Sequence, residues 1–396
     1  MRHASQVSVC VGLLAVFACT DYVEPRNSVG SNGTTGGSTG TGGTAATGGA
    51  EAGVAPTKFM LGADISGVDE EMRTGITYED TDGTPKSIFD ILKNHGFNFV
   101  RLRAFVKPTA MYGYDFGIGG GCMKADSYCD TAHTVAFAQL AKAAGMGIVL
   151  DLHYSDNWAD PGHQVIPEDW RNVSTIDELA GYLSGYTQDI INTMLGAGVR
   201  PDIVQVGNEI TGGMVRDIPT ASTDCWGNNV TTAPVGGSWA NWTNLGILLK
   251  AGADAVKSID SSIKVMMHIE NTRSAADVVG WVNNALAEGV PFDIVGLSCY
   301  EVYQGPPDTW QAAFSALTDA FPTLSFAIAE YNGQPTPANT IIHDLPGGRG
   351  VGTFFWEPTQ SGSWGAALFT NAGGVKRADP NAFAEFDALA AGFGLK

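Results

Sequence analysis

Two glutamates follow short apolar segments and could together cleave a glycosidic bond. Glu209 lies near the end of VQVGNEI (residues 204–210), and Glu330 ends FAIAE (residues 326–330). Such cleavage needs a protonated carboxyl group that gives its proton to the leaving oxygen, and a carboxylate that attacks the sugar or activates water. One glutamate at a strand end is commonly a salt-bridge partner, but two of them, with Asn208 beside the first, favour catalysis. We therefore predict that Glu209 and Glu330 are the catalytic residues.

A repeated order of elements would bring these glutamates to one mouth. Short β-branched or apolar segments alternate with loops and amphipathic helical segments from residue 57 onward. Eight strands are predicted, at Phe59–Ser66, Phe97–Arg103, Gly147–His153, Ile203–Glu209, Ile263–Glu270, Phe292–Tyr300, Leu324–Asn332 and Gly350–Pro358. Eight such units predict an α/β fold, the (β/α)8 TIM barrel, whose active sites lie at the carboxyl ends of the strands. An open doubly wound sheet is the alternative, but such a sheet is expected to carry a GxGxxG phosphate loop at the end of its first strand, and LGADISG there does not have this pattern.

Polar and aromatic residues are concentrated at these strand ends and in the loops that follow. We predict that ten of them bind substrate: Asp64, Arg101, His153, Trp158, Asp160, Asn208, His268, Asn271, Tyr300 and Trp356. Arg101 or Arg103 would keep Glu330 ionised, and Tyr300 would donate a hydrogen bond to it. The flat indoles match the apolar faces of pyranose rings. Two further carboxylates, Glu270 and Glu357, are predicted to lie outside the immediate site or on the surface.

The first 56 residues predict export rather than a folded domain. Residues 1–18 have the short apolar run of a signal peptide, and Cys19 follows VFA, as in a lipoprotein processing site. Residues 19–56 are rich in Gly, Thr and Ser and predict a flexible linker before a catalytic domain at 57–396. We expect a cell-surface or outer-membrane lipoprotein held only by its lipid, or otherwise a secreted protein cut nearby.

The charge and composition of the chain limit the kinds of partner that we expect. The net charge is −19 and no run of Lys or Arg occurs, so nucleic acid is not expected as a partner. The loop at 151–164 holds Asp156, Asp160 and His163, which resembles a metal site, but no His-x-His pair accompanies them. We therefore expect a polysaccharide substrate, no metal and no cofactor.

Four cysteines remain beyond the leader. Cys122 and Cys129 share one loop, so a local disulfide is predicted between them, since export permits disulfides. A pairing of Cys225 with Cys299 is left open. We expect a monomer.

Long segments of the chain resemble one enzyme family. The segments are FVRLRAFVKP, DLHYSDNWADPGHQ, VQVGNEITGGM, MMHIEN, FDIVGLSCY, FAIAEYNG and GTFFWEP. They are similar to those of the endo-β-1,4-galactanases of glycoside hydrolase family 53, which belong to a retaining clan of (β/α)8 barrels. The resemblance implies that Glu209 is the acid/base and Glu330 the nucleophile. It also implies endo-cleavage of β-1,4-galactan, the side chain of pectin (type I arabinogalactan), with net retention.

The chain departs from the family where substrate subsites form. It reads GGMVRDIP after NEIT, CYEVYQG at the end of the sixth strand and AEYNGQP at the seventh. Some bacterial members hold calcium in a long loop after the seventh strand. Here that segment, residues 333–349, is short and poor in acidic residues, so we expect no calcium there. The departures keep open two alternatives: another retaining β-glycan endohydrolase of the same clan, or a catalytically silent surface glycan-binding lipoprotein.

Overall fold

Eight parallel strands close into a barrel in the computed structural model, which describes residues 58–115, 128–220 and 229–396. The barrel strands are Met60–Asp64, Phe99–Ala104, Gly147–Leu152, Ile203–Val206, Lys264–Ile269, Ile294–Cys299, Ser325–Tyr331 and Gly350–Trp356. Each strand pairs with the next one along the chain, and the eighth pairs with the first. The predicted barrel is confirmed, whereas the signal peptide, Cys19 and the linker lie outside the described residues.

Helices follow the strands and cover the outside of the barrel. They are Val68–Arg73, Ile88–Asn94, Thr131–Ala143, Ile176–Gly196, Trp242–Ile259, Ala275–Ala287, Glu301–Gln304, Pro307–Ala320, Pro335–His343 and Pro380–Gly392. A capping box begins the helix Ile176–Gly196: Thr175 accepts a hydrogen bond from the backbone of Glu178, whose side chain accepts from Thr175 N. None of the helices in the described ranges is long and apolar enough to cross a membrane.

Two apolar layers hold the barrel together. The barrel interior is filled by side chains such as Met60, Met266 and Phe354, which are fully buried. The opposite faces of the strands pack against the helices in a larger layer. Nearer the carboxyl ends of the strands, the inward-facing positions become polar, as at Arg101 and Gln205. The apolar layer therefore fills the barrel interior, and the polar layer lies at the end where active sites form.

The fourth strand ends earlier than predicted. It stops at Val206, and the chain then turns through Gly207 (φ 80°) and Glu209 (φ 49°). A left-handed backbone is uncommon at a glutamate and marks a constrained site. The prediction that Glu209 lies within the strand is therefore wrong; the turn after the strand positions it.

Seven short strands lie outside the barrel sheet in the described residues. Phe369–Ala372, Val375–Ala378 and Thr77–Glu79 form one small sheet, and two pairs, Gly213–Met214 with Gly237–Ser238 and Asp217–Pro219 with Val230–Thr232, follow the fourth strand. Cys129 and Cys299 are buried, and neither is bonded to another cysteine within the described residues. Cys122 and Cys225 lie outside the described residues, so their predicted pairings stay predictions.

Candidate active site

A groove with a volume of about 1030 Å³ opens at the carboxyl ends of the strands. Glu209 and Glu330 both line it. Six of the predicted substrate-binding residues line it too: Trp158, Asp160, Asn208, Asn271, Tyr300 and Trp356. Residues from the third, fourth, fifth, sixth and eighth units of the barrel thus meet at one surface, as the barrel order predicts.

An irregularity in the seventh strand turns Glu330 toward the groove. Ala327 and Ala329 belong to the barrel interior, whereas Ile328 and Tyr331 pack on the helix side. Strict alternation would place Glu330 with Ile328, but the pairing register shifts on both neighbouring strands here. This local bulge re-aims the carboxylate, as bulges beside active sites commonly do.

The two carboxylates are close neighbours. One oxygen of Glu209 and one of Glu330 lie within 4.8 Å of each other. Two negative charges this close repel each other, so we expect the pair to carry a single proton at neutral pH. Which residue holds it depends on the surroundings of each.

Glu330 is surrounded by groups that stabilise its ionised form. Arg101 NH1 lies 2.9 Å from Glu330 Oε1, and Tyr300 OH donates to Oε2 at 3.0 Å. Burial raises the pKa of Glu330 to about 7, while Arg101 and the Tyr300 hydrogen bond lower it. Within the described part of the chain, Glu330 Oε1 meets Arg101 as an ion pair without a well-aligned hydrogen bond.

Glu209 is surrounded by groups that favour its protonated form. Burial raises its pKa well above the ordinary value, and the negative charges of Glu330 and Glu270 raise it further. Ser298 Oγ lies 2.6 Å from Glu209 Oε1 and lowers the pKa in part. The shared proton therefore resides on Glu209, and the charge resides on Glu330 beside Arg101.

Arg101 is the centre of a buried polar layer beneath the groove. Its side chain is 0% exposed. Its partners within 3.0 Å are Asp64, Asp151, Gln205, Asn208 and Glu330. Buried charges persist only when paired and hydrogen-bonded, and this guanidinium meets that condition on every nitrogen.

Four predicted substrate-binding residues are corrected by the structure. Asp64, Arg101, His153 and His268 are at most 1% exposed and lie below the groove rather than in its wall. Their polar atoms are engaged with other side chains or backbone, so substrate has no access to them. We assign them to positioning.

His153 illustrates this positioning. Its Nδ1 accepts a hydrogen bond from Ala159 N at 3.0 Å, so its Nε2 carries the proton and donates to Asp151 Oδ2 at 3.0 Å. The ring thereby ties the third strand to the loop that carries Trp158, whose indole lines the groove.

A second ion pair, between Arg103 and Glu357, lies at the groove wall. The sequence predicted that Glu357 lies outside the immediate site or on the surface. Arg103 NH1 lies 2.9 Å from Glu357 Oε1, and the Arg103 guanidinium lies 4.0 Å from the centre of the Trp158 ring. Glu357 is buried yet lines the groove, and burial raises its pKa to about 7. Of the two positions predicted for Glu357, the surface is excluded, because Arg103, from a distant part of the chain, pairs with it in a buried position.

Two further polar residues were missed from the sequence. Gln205 and Ser298 are fully buried and contact the catalytic layer directly. The alternation of side chains along a strand could have indicated Gln205. This residue interrupts an apolar strand at a position that faces the same side as Ile203.

The loop that resembled a metal site does not gather its acids. Asp160 Oδ1 accepts from His163 N at 2.9 Å, and Asp156 Oδ2 accepts from Glu168 N at 2.7 Å, so these acids order the loop backbone. Across the described residues, the group of acids and histidines close enough to share a cation is Glu209, His268 and Glu330. Both ring nitrogens of His268 already face Asn208 and Ser298.

Comparison with known proteins agrees with this geometry. A family model described as Glycosyl hydrolase family 53 matches residues 60–340. An arabinogalactan endo-beta-1,4-galactanase of Thermothelomyces thermophilus is 32% identical over 330 residues, which cover 75% of this chain and 88% of that protein. The solved GH53 catalytic domain of Ignisphaera aggregans gives a TM-score of 0.70 at 27% identity, covering 85% of this chain and 97% of that one. A solved fungal beta-1,4-galactanase gives a TM-score of 0.67 at 28% identity, covering 83% and 99%.

A groove with two unlike carboxylates and a family match over most of the barrel lead to one conclusion. The chain is a glycoside hydrolase and belongs to glycosyl hydrolase family 53.

Proposed function

We propose that this protein hydrolyses internal β-1,4-galactosidic bonds of galactan, as in the type I arabinogalactan side chains of pectin. The observation that carries the proposal is the pair Glu209 and Glu330, with oxygens within 4.8 Å in an open groove and with opposite surroundings. The names of the family relatives support galactan as the polymer. An open groove admits the middle of a chain, which suits endo-cleavage.

The carboxylate spacing favours a retaining double displacement. Retaining enzymes place the two carboxyl groups about 5–5.5 Å apart, whereas inverting enzymes leave about 6.5–9.5 Å for a water molecule. In the first step Glu330 Oε1 attacks the anomeric carbon, and Glu209 gives its proton to the departing glycosidic oxygen. In the second step Glu209 takes a proton from water, the water oxygen bonds to the anomeric carbon, and Glu330 leaves as a carboxylate.

Substrate preference rests on the residues around this pair. Tyr303, 49% exposed on the short helix Glu301–Gln304, lines the groove within a segment that departs from the family pattern. Trp158 and Trp356 provide aromatic surface along the groove for the apolar faces of sugar rings.

A substrate panel tests the proposal. Reducing-end release would be measured on linear β-1,4-galactan, arabinogalactan, mannan, xylan and cellulose. Activity on linear galactan with short oligosaccharide products is expected. Activity on another polymer alone would keep the chemistry and overturn the substrate. Binding of galactan without any release would favour the silent glycan-binding alternative.

Replacing Tyr300 by phenylalanine should lower kcat about 10- to 100-fold, since a hydrogen bond to a charged group is worth about 1.5–3 kcal/mol. It should also move the acid limb of the pH–rate profile to higher pH. The Tyr300 hydroxyl lowers the pKa of Glu330, which must be ionised to act. Removing the hydroxyl raises that pKa, so on acidification Glu330 becomes protonated, and activity is lost, at a higher pH than in the wild type. Rates of galactan hydrolysis, measured from about pH 3 to pH 10 at intervals of about half a pH unit, would test this shift of the acid limb.

Tyr331→Phe is the matched control. Tyr331 is also buried, but its hydroxyl accepts from Asn339 Nδ2 at 2.8 Å, on the helix side of the strand. Its acid limb should stay at the wild-type pH. If Tyr300→Phe and Tyr331→Phe give the same profile, the assigned contact between Tyr300 and Glu330 has no kinetic role.

We also propose that the protein is exported and carries a lipid on Cys19, with residues 19–56 as a tether and residues 57–396 as a monomeric catalytic domain. The apolar run before Cys19 and the Gly/Thr-rich composition after it support this. Mass spectrometry of the mature amino terminus tests it: a diacylglyceryl cysteine is expected, and an unmodified terminus elsewhere would contradict it.

A further inference from the structure

A chain of three hydrogen bonds leads from Glu209 into the floor of the barrel. Ser298 Oγ lies 2.6 Å from Glu209 Oε1, His268 Nε2 lies 2.9 Å from Ser298 Oγ, and His268 Nδ1 lies 2.8 Å from Asn208 Oδ1. Ser298 and His268 are both 0% exposed, so water does not compete for these contacts. The direction of each bond can therefore be worked out from its partners.

The first direction is set by Asn208. Its Nδ2 donates to Ala159 O at 2.8 Å, and its Oδ1 accepts from Arg101 NH2 at 2.7 Å, which fixes the orientation of the amide. The atom that faces His268 Nδ1 is therefore an acceptor. It follows that Nδ1 of His268 carries a proton.

Gln205 does not change this result. Its Nε2 lies 3.3 Å from His268 Nδ1, but its two hydrogens have closer acceptors, Asp151 Oδ1 at 2.6 Å and Gly207 O at 3.0 Å. It has no hydrogen left for a bare Nδ1. Both amide neighbours therefore agree on the same histidine tautomer.

The second direction follows from the charge of His268. Burial and the positive charge of Arg101 lower its pKa well below the ordinary value, although Asp151 acts in the opposite direction and His153 adds to the lowering. The ring is neutral, so Nε2 has a lone pair and accepts the hydrogen of Ser298. The Ser298 oxygen is then left to accept, and the hydrogen between it and Glu209 must come from Glu209.

We propose that Ser298 and His268 are positioning residues that hold the acid proton on Glu209 Oε1 and stabilise the carboxylate once that proton has gone. The hydrogen-bond directions place Glu209 as the acid without reference to any relative. The kinetic part of this proposal rests on the proposed hydrolysis, whereas the tautomer does not.

The hydroxyl of Ser298 can serve both states without gaining or losing a proton. While Glu209 is protonated, Glu209 donates to Ser298, and Ser298 donates to His268 Nε2. For catalysis the Glu209 O–H turns about its carboxyl C–O bond from Ser298 toward the groove, where it gives its proton to the leaving oxygen. The Ser298 hydroxyl then turns and donates to the new carboxylate. When Glu209 later takes a proton from water, the hydroxyl turns back. Other charged groups around Glu209, namely Glu330, Glu270 and Asp160, are all acids and cannot donate in this way when ionised.

The tautomer is tested by NMR on the unmodified chain labelled with ¹⁵N-histidine. The chain has seven histidines, and the signals of His268 are assigned by their loss in His268→Gln. A protonated Nδ1 and a bare Nε2 are expected at neutral pH. A proton on Nε2, or on both nitrogens, would overturn the proposal, and this readout needs no substrate.

The role of the hydroxyl is tested by Ser298→Ala. Its alkaline limb in kcat/KM should move up by about half to one pH unit, since a bond to a charged acceptor is worth more than one to a neutral partner. Activity is lost as pH rises through the pKa of Glu209, and losing the donor to its carboxylate raises that pKa. Ser298→Thr, which keeps a hydroxyl, should retain the wild-type limb.

Thr272→Val is the structural control. Thr272 is as buried as Ser298, and its Oγ1 donates to the backbone oxygen of Ser298 at 2.6 Å, outside the chain of bonds to Glu209. Its alkaline limb should stay in place even if stability falls. A Ser298→Ala profile that matches wild type, or a Thr272→Val profile that shifts equally, would overturn the positioning role. Inactivity of the wild type on every glycan would instead refute the proposed function and leave the NMR result to decide the tautomer.

Discussion

Glu330→Ala should lower the rate of galactan hydrolysis by at least about 10⁴-fold, because removing a nucleophile removes the first chemical step rather than weakening it. The variant should still bind galactan, since the aromatic wall of the groove is untouched. Its fold should persist, because Arg101 keeps Asp64 and Asp151 as partners at 2.8 and 3.0 Å. Rates on linear galactan, with thermal unfolding as the check on folding, measure both expectations.

Azide then distinguishes the role of Glu330 from simple loss of structure. With an aryl β-galactobioside that has a good leaving group, azide should enter the space left by the side chain and restore turnover. The product should be the α-glycosyl azide, because azide attacks from the side where Glu330 stood. Glu288→Ala, which alters an exposed carboxylate that does not line the groove, is the control and should match wild type. A β-azide, or a rate within tenfold of wild type, would contradict the assignment of the nucleophile.

Glu209→Ala should lower kcat on galactan by about 10²- to 10⁴-fold, the range for general acid–base catalysis. The alkaline limb of its pH–rate profile should disappear. In the wild type that limb marks the loss of the proton from Glu209, whose pKa is raised by burial and by the charges of Glu330 and Glu270. The profile on galactan is the measurement.

The configuration of the azide product separates Glu209 from Glu330. With the activated galactobioside, the glycosyl-enzyme still forms in Glu209→Ala, and azide replaces water in the second step. The expected product is therefore the β-glycosyl azide, opposite to that of Glu330→Ala. If both variants give the same anomer, or if Glu209→Ala keeps its alkaline limb, the division of roles between the two glutamates is wrong.

The strands were predictable because each is a local pattern. Apolar runs such as the one at 326–330 are broken by loops and helix caps, and all eight predicted strands overlap the observed ones. The carboxyl-end rule then placed Glu209 and Glu330 at one mouth without any distance information. The capping box at Thr175 was predictable for the same reason, since its partner lies three residues away.

The remainder depended on contacts between distant segments. Arg101 and His268 end in the polar layer below the groove because partners from other strands hold them, and no local pattern distinguishes that layer from the groove wall. For the same reason the sequence left open whether Glu357 lies on the surface or, as observed, in a buried ion pair with Arg103. The bulge that turns Glu330 inward arises from pairing with both neighbouring strands, so alternation along a single segment could not reveal it.

The stereochemical course of hydrolysis tests the central claim most directly. Proton NMR would follow the anomeric signals of the first products released from linear β-1,4-galactan, before mutarotation. The β-anomer of the new reducing end should appear first, because Glu209 and Glu330, with oxygens within 4.8 Å, act in two successive displacements. Initial release of the α-anomer would show a single displacement by water and would contradict the assignment of Glu330 as nucleophile.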